Sequence, residues 1–480
     1  MSDKLELEKK KAKLLLGNHD YQITKDKLDK VGCGMCLAKW TQTTIHLQMG
    51  QTHSCHHPAT HKIPLNELKR NPSALHNTSF KKHKRKEMLE GKRPAECDYC
   101  WNVEDNSPQF SDRVFKSNES WSAPHYDEIV NTHWRADYNP KYVEVAFSNQ
   151  CNFACSYCGP SFSSKWTVEA NKFGPYPTQD NFNDIEALRA NGKMPIHHTE
   201  HNPYVEAFWK WWPELYRDLH TFRITGGEPL LSKDTWGILD YIINESNPNT
   251  KLNLAINSNL GVPDDLVDKF IDKIKRIEDE GRVNEFIIFT SVDTWGAQAE
   301  YIRNGLEFNR MWDNINKILT ACPRVNVTIM STFNAMSVPN YKKLVDGVYN
   351  LKKLYSHKDR YWVSAVFLDT SYLRHPLHQT LQILEEEKWG PVLWDTVQYV
   401  DFLGIPKFDH ELVGYSDVEV QKIKRAYDWM VSKFKDPEKI YRQRRDFGRF
   451  FKEHDRRRGT DFKKTFPELA DFFDWVLTFK

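Results

Sequence analysis

Nowhere do the 480 residues contain a run of about 18 apolar residues, so no membrane-spanning helix is expected. The opening stretch MSDKLELEKKKAKLLLGNHD is charged and lacks the long apolar segment of a secretion signal, which makes the cytoplasm the expected compartment. Charge of one sign is also missing: 67 Lys and Arg face 65 Asp and Glu, a formal net charge of +2. That balance leaves no basic footprint for nucleic acid and no pull toward anionic membranes, so neither is an expected partner. Internal repeats and low-complexity tracts are absent. Cysteine is sparse, with nine in the chain. In a reducing compartment these read as metal ligands rather than as a disulfide framework.

What is present is apolar and aromatic mass. Hydrophobic residues make up 40%, with 16 Trp, 20 Tyr and 27 Phe, enough for a sizeable core and two or three domains. From about residue 140 the pattern alternates. Runs at 142–147, 221–225, 252–257, 286–292, 325–333 and 362–368 predict six strands. Helical periodicity falls between most of them, at 204–219, 233–244, 263–280, 308–320 and 340–354. Strands alternating with helices imply parallel βαβ units, either in an open doubly wound sheet or in a partial barrel. Residues 160–202 show little periodicity and read as a lid, a binding loop or a surface insertion.

The flanks differ in texture. Residues 1–125 combine a basic helix-like start, clustered His and Cys, and a basic run, KKHKRKEMLEGKRP, expected to be a solvated helix face. After about residue 375 the chain reads as mostly helical, with an N-cap expected at Ser416 and an amphipathic run to Phe434.

The cysteines are grouped: five within 33–100, three within 151–158, and Cys322 alone before a strand, expected as a small buried hydrophobe. In YVEVAFSNQCNFACSYCGP, Cys151, Cys155 and Cys158 lie just beyond the carboxyl end of the first predicted strand of the 140–370 series. In a parallel α/β domain ligands bind at that end. A fully ligated 4Fe–4S cluster takes four thiolates, so three leave one iron open to a small molecule. The alternative is zinc completed by a distant residue such as His.

C-x-x-x-C-x-x-C with an aromatic, Tyr157, before the last cysteine resembles the signature of the radical S-adenosylmethionine superfamily. Further landmarks follow in order. RITGGEPLL resembles that family's GGE motif, which implies that Gly226 and Gly227 let the backbone approach the methionine amino group, supported by Glu228. LAINSN resembles the segment near ribose and methionine, with Ser258 and Asn259 as candidates. FTSVDTWGAQAEYIRNG resembles the S-x-D stretch and its following arginine. By that resemblance Ser291 or Asp293 contacts ribose and Arg303 pairs with the cofactor carboxylate, for which a planar guanidinium is well shaped. The resemblance covers residues 140–370 and implies a partial (βα)6 TIM-type barrel. It also implies a 4Fe–4S cluster, S-adenosylmethionine, and a reductant such as a flavodoxin or ferredoxin. The implied reaction is reductive cleavage to a 5′-deoxyadenosyl radical that takes hydrogen from a substrate.

Upstream, Cys33 and Cys36 form one pair and Cys97 and Cys100 another, with Cys55 between. Gly50-x4-Cys55 resembles an element of the twitch and SPASM auxiliary-cluster modules. Residue by residue, that resemblance gives Cys36, Cys55, Cys97 and Cys100 a second 4Fe–4S cluster, in a module that here precedes the barrel. Zinc held by Cys33, Cys36, Cys97 and Cys100 as two knuckles is the competing arrangement. His53, His56, His57 and His61 are expected as ordinary loop histidines. Glu144 and Asp369 are candidates for an interior-facing role, with pairing to Lys or Arg as the structural alternative.

The expected organisation is therefore a Cys-rich twitch/SPASM-like domain over 1–125, a barrel over 140–370 and a helical extension over 375–480. The resemblance implies an oxidoreductase-type radical enzyme acting on a peptide or protein. A carbohydrate, small metabolite or nucleic acid is the alternative substrate, and a non-catalytic metal-binding module is the rival class.

Overall fold

The computed structural model describes residues 21–180, 182–356, 364–404, 413–432 and 436–480; the charged opening stretch and Phe434 lie outside them. Among the described residues there are eleven strands. They are β1 (Gln42–His46), β2 (Gln51–His53), β3 (His61–Lys62), β4 (Tyr142–Ala146), β5 (Ala154–Cys155), β6 (Thr221–Thr225), β7 (Asn253–Asn257), β8 (Glu285–Ser291), β9 (Arg303–Asn304), β10 (Asn326–Phe333) and β11 (Val366–Tyr372). Nine belong to a large, mostly parallel sheet, while β5 and β9 form an antiparallel pair of their own. The architecture is α/β. No helix among the described residues is long and apolar enough to cross a membrane.

By contacts the chain divides into two compact units. The first comprises Met1–Phe147, Ile196–Ile224 and Ser246–Leu254; the second comprises Ser148–Pro195, Thr225–Glu245 and Ala255–Lys480. In the first unit β1 runs parallel to β4, in register from Gln42↔Tyr142 to His46↔Ala146, and antiparallel to β2, which pairs with β3. Helix Pro203–Asp218 opens with Asn202 accepting from the amides of Tyr204 and Val205. It buries Phe208, Trp211, Trp212, Leu215 and Tyr216 along one face.

In the second unit β8, β10 and β11 are parallel neighbours. Helix Asp264–Asp279 shows why the intervening segments are helical. Val267, Phe270, Ile271, Ile274 and Ile277 recur at three- and four-residue spacing and are buried, each worth about 1.5–3 kcal/mol. Towards the C-terminus helices Glu386–Phe402, Asp417–Met430, Pro437–Arg458 and Ala470–Leu477 follow one another. Ser416 and Glu419 form a capping box at the second of these.

Four expectations need revision. β11 begins at Val366 and runs to Tyr372, later than the predicted 362–368, and residues 361–363 lie outside the described set. The aperiodic stretch contains helices Ser164–Phe173 and Ile185–Ala190. Strands β1 and β2 carry polar side chains at most of their buried positions, and β3 is only two residues long, so none shows an apolar strand pattern. The basic run is only partly solvated: on helix Ser79–Leu89, Lys81 is 1% and Arg85 0% exposed. These two lie four residues apart and so share a face. Lys81 Nζ donates to Thr43 Oγ1 (3.2 Å) and meets His76 Nδ1 (3.0 Å), while Arg85 donates to Asn77 Oδ1 (2.8 Å).

Candidate functional site

In the second unit a loop carries Cys151, Cys155 and Cys158, all partly exposed. Its shape is fixed by bonds to its own backbone. Ser163 Oγ donates to the Phe153 carbonyl (2.6 Å), Trp166 Nε1 to the Cys155 carbonyl (2.8 Å) and Arg458 Nη1 to the Ala154 carbonyl (2.8 Å). Ser156 exchanges two bonds with the Gln379 amide, at 2.7 and 3.1 Å. Pairing of β5 with β9 sets Cys155 directly against Arg303. The Phe153 amide faces a sulfur, 3.4 Å from Cys151 Sγ. Burial, and then the neighbouring Cys155, raise the Cys158 thiol to about 12 and hold Cys151 well above its ordinary value. Thiolates packed this closely need a positive partner, and a metal centre is one that thiolates bind directly.

The glycine motif follows β6. Gly226 has φ +121°, and a Cβ on Gly227 would sit 2.3 Å from the Gln150 carbonyl oxygen. Only glycine permits this backbone-to-backbone approach, sealed by Gly227 N donating to the Ser148 carbonyl and Glu228 N to the Gln150 carbonyl (2.7 Å). The Glu228 carboxyl is buried and ties two loops together. It accepts from Leu230 N (3.0 Å), Ser258 Oγ (2.8 Å) and Asn259 N (2.6 Å). Burial nevertheless pushes its pKa up to about 7. Asn259 also bonds Asn152 of the cysteine loop (2.8 Å), and next to it Leu260 takes a left-handed φ of +50°, a strained setting for leucine.

Ser291 ends β8 half-buried. Asp293 is fully buried, and its carboxylate gathers Arg303 Nε (2.9 Å) and Nη2 (3.0 Å), the Tyr157 hydroxyl (2.8 Å) and Thr332 N (2.8 Å). Arg303 lies 5.5 Å from the centre of the Tyr157 ring, with Nη1 3.7 Å from Cys155 Sγ. Burial works against its cation, but Asp293 more than compensates and holds the guanidinium above its ordinary pKa. Arg303 is thus engaged by a carboxylate of the chain itself.

The first unit holds the other cysteines. Cys36, Cys55, Cys97 and Cys100 line one cavity together with Lys39, His57 and Asp112. Cys33 is exposed, with its sulfur 4.0 Å from the Gly91 carbonyl oxygen, and does not line that cavity. Cys97 ends a short 3-10 turn and Cys100 sits in the first turn of the helix that follows. Gly50 has φ +64°, and a Cβ there would fall 2.1 Å from the Tyr204 ring, so the Gly50-x4-Cys55 element needs its glycine. Burial, then Cys55, Cys100 and Cys97, push Cys36 up to about 12, and burial likewise takes Cys100 to about 12. Lys39 is buried and pairs with Glu96; burial lowers the affinity for its proton, but Cys97 and Glu96 outweigh that. His57 pairs with Asp112 and stacks on Tyr99 at 3.7 Å, while His61 meets Thr78 Oγ1 at 2.9 Å. Among the described residues no three His, Cys, Asp or Glu side chains converge as a site for a metal ion; the thiols surround a space.

Other candidates fall outside both groups. Glu144 lies 3.8 Å from Arg223, Asp369 pairs with Lys422 (2.7 Å), and Cys322 is buried at a helix end. Sequence reasoning missed Trp166, Gln379 and Arg458. Trp166 sat in a stretch without periodicity, and Arg458 in a run legible only as mixed charge and aromatics.

No protein-family model and no curated protein matches the chain. A solved structure described as native anSMEcpe with bound AdoMet is similar over 68% of this chain and 97% of that one, at 13% identity and a TM-score of 0.31. A likeness of that size carries no argument about this chain.

Proposed function

We propose that this chain is a radical S-adenosylmethionine enzyme with a partial (βα)6 core and two 4Fe–4S clusters. Cys151, Cys155 and Cys158 hold the first, and Cys36, Cys55, Cys97 and Cys100 hold the second. The observation that carries the reading is the company of the three thiols: a loop packed against Gly227, bonded to Asn259 and set beside the Arg303–Asp293 pair. Thiols surrounding a space fit a polynuclear group, whose thiolates bind different irons, better than a single ion.

When bound, the open-sited cluster supplies the electron that cleaves S-adenosylmethionine to methionine and a 5′-deoxyadenosyl radical. The chain's own part is positioning. Gly226 and Gly227 let their backbone pack directly on the cysteine loop, where a Cβ on Gly227 would clash with the Gln150 carbonyl. Glu228 locks the 226–228 and 258–261 segments, so the Asn259 loop keeps its place. Asp293 holds the Arg303 cation beside Cys155, where it offsets the charge of the thiolates. The electron comes from a flavodoxin- or ferredoxin-type reductant, and the substrate is a peptide or protein.

The test is anaerobic reconstitution, then dithionite and S-adenosylmethionine. About eight iron and eight sulfide per chain and release of 5′-deoxyadenosine are expected. Zinc alone, or iron-loaded protein that releases no nucleoside, contradicts the reading.

A further inference from the structure

Three consecutive arginines close helix Pro437–Arg458, and they meet different surroundings. A cation in the last turn of a helix is ordinarily a solvated partner of the helix dipole. Arg456 fits that description, being 60% exposed and paired with Glu453 (2.6 Å). Arg457 turns inward and donates to the Gly174 and Pro175 carbonyls, at 2.9 and 3.1 Å. Arg458 is 4% exposed and reaches away from its own helix, with Nη1 donating to the Ala154 carbonyl of the cysteine loop at 2.8 Å. Gly459 follows at φ +65° and ends the helix, so a glycine cap sets the backbone that carries Arg458.

The guanidinium lies 5.0 Å from the centre of the Trp166 ring, and the Trp166 indole donates to the Cys155 carbonyl (2.8 Å). Arg458 and Trp166 thus hold the two consecutive carbonyls of β5, the strand that carries Cys155.

The charges around this contact can be counted. A guanidinium is a permanent cation. Its offset is Glu169, whose Oε2 lies 3.0 Å from Nε, a different nitrogen from the one bonded to the loop. Glu169 also accepts from the Tyr176 hydroxyl (2.6 Å) and lies 3.9 Å from Arg457. His454 meets Nη1 at 2.9 Å, but burial lowers its pKa to about 4 and leaves it neutral at physiological pH.

We propose that Arg458 is a positioning residue for the Cys151, Cys155 and Cys158 centre: it fixes the Ala154–Cys155 backbone, and its charge makes a cluster held there easier to reduce. The inference rests on the cluster reading above. In the step concerned the cluster gains one electron and the reductant loses one, with no bond or proton changed. The reduced cluster is the more negative form, so a cation fixed against its loop favours it, and the Glu169 carboxylate opposes that effect.

A redox titration of the full-length iron-loaded protein tests the charge, followed by electron paramagnetic resonance on the signal that Cys155→Ala removes. Arg458→Gln keeps an amide donor for the Ala154 carbonyl but no charge, and should shift the midpoint potential to more negative values. Glu169→Gln should shift it the opposite way, and the double variant should return close to wild type. Arg458→Lys, which keeps the charge, should also stay close to wild type. A purely structural role would not produce shifts of opposite sign from the two single variants. The backbone role has a readout that needs no cluster. Amide exchange over residues 151–158 of the metal-free chain should quicken about tenfold in Arg458→Ala, since a charged hydrogen bond to that loop is lost. A potential unmoved or raised in Arg458→Gln, a negative shift or none in Glu169→Gln, or unchanged exchange in Arg458→Ala overturns the proposal. If Arg458→Gln takes up no cluster, the sign of the Glu169→Gln shift decides the charge effect. Absence of any Cys155-dependent signal from the wild-type chain overturns the cluster reading, and this inference with it.

Discussion

The two cysteine groups differ in their surroundings. In the first unit four thiols enclose a cavity, and Lys39 beside Cys97 is held by Glu96. In the second, three thiols sit on a loop, and the cation beside Cys155 is Arg303, held by a fully buried Asp293. Four thiolates complete the ligand set of a four-iron cluster, whereas three leave one position for another molecule. A complete thiolate set suits electron storage or structure, and an incomplete one suits a reacting ligand. The difference lies less in the cysteines than in what else converges on each group.

The sharpest way to break that comparison is to remove one thiol from each side. Cys155→Ala should cut the iron content by about half and abolish 5′-deoxyadenosine formation, whereas Cys97→Ala should also lose about half the iron but keep measurable cleavage. Equal loss of cleavage in both, with full iron elsewhere, would make the two groups one functional unit. Next in size is the cation. Arg303→Ala leaves Asp293 buried without its ion pair and should cost about 3–5 kcal/mol in urea unfolding of the metal-free protein. Lys39→Met should cost less, since the Glu96 carboxylate retains some access to solvent. A smaller loss, about 1–3 kcal/mol, is expected for Glu228→Gln, whose amide would point a donor at backbone N–H groups.

Glu228 also carries a pH signature. Burial lifts its folded pKa to about 7, above the ordinary value of 4.5, so the native state keeps the proton longer as pH rises. Its contribution is fully present below about 4.5 and is lost as pH climbs to about 7; in that window stability should fall, and Glu228→Gln should flatten the slope. The smallest effect is expected at Cys33, which is exposed and outside the cavity. Cys33→Ser should leave iron content unchanged and stability within about 0.5 kcal/mol.

Much of the second unit was legible because its physics is local. Alternation in Glu285–Ser291 and the three- and four-residue apolar spacing of Asp264–Asp279 mark strand and helix in the sequence itself. The cysteine spacing and the glycine pair are likewise short-range. The choice among Cys33, Cys36 and Cys55 was not local. It depended on which thiols the folded chain turns toward one cavity. Strand β1 was hidden because Gln42, Thr44 and His46 occupy positions where a strand pattern is read from apolar residues. Arg458 reaches Ala154 across 304 residues, a contact that no short window contains.

The account's central claim is that the Cys151, Cys155 and Cys158 site leaves a position for S-adenosylmethionine while the four-thiol site does not. Electron paramagnetic resonance of the reduced, iron-loaded protein tests it most directly. Adding S-adenosylmethionine should change the spectrum of the wild-type chain and of Cys97→Ala, and should have no effect on Cys155→Ala. A spectrum indifferent to S-adenosylmethionine in the fully loaded wild-type protein, or one that still responds in Cys155→Ala, would contradict the claim.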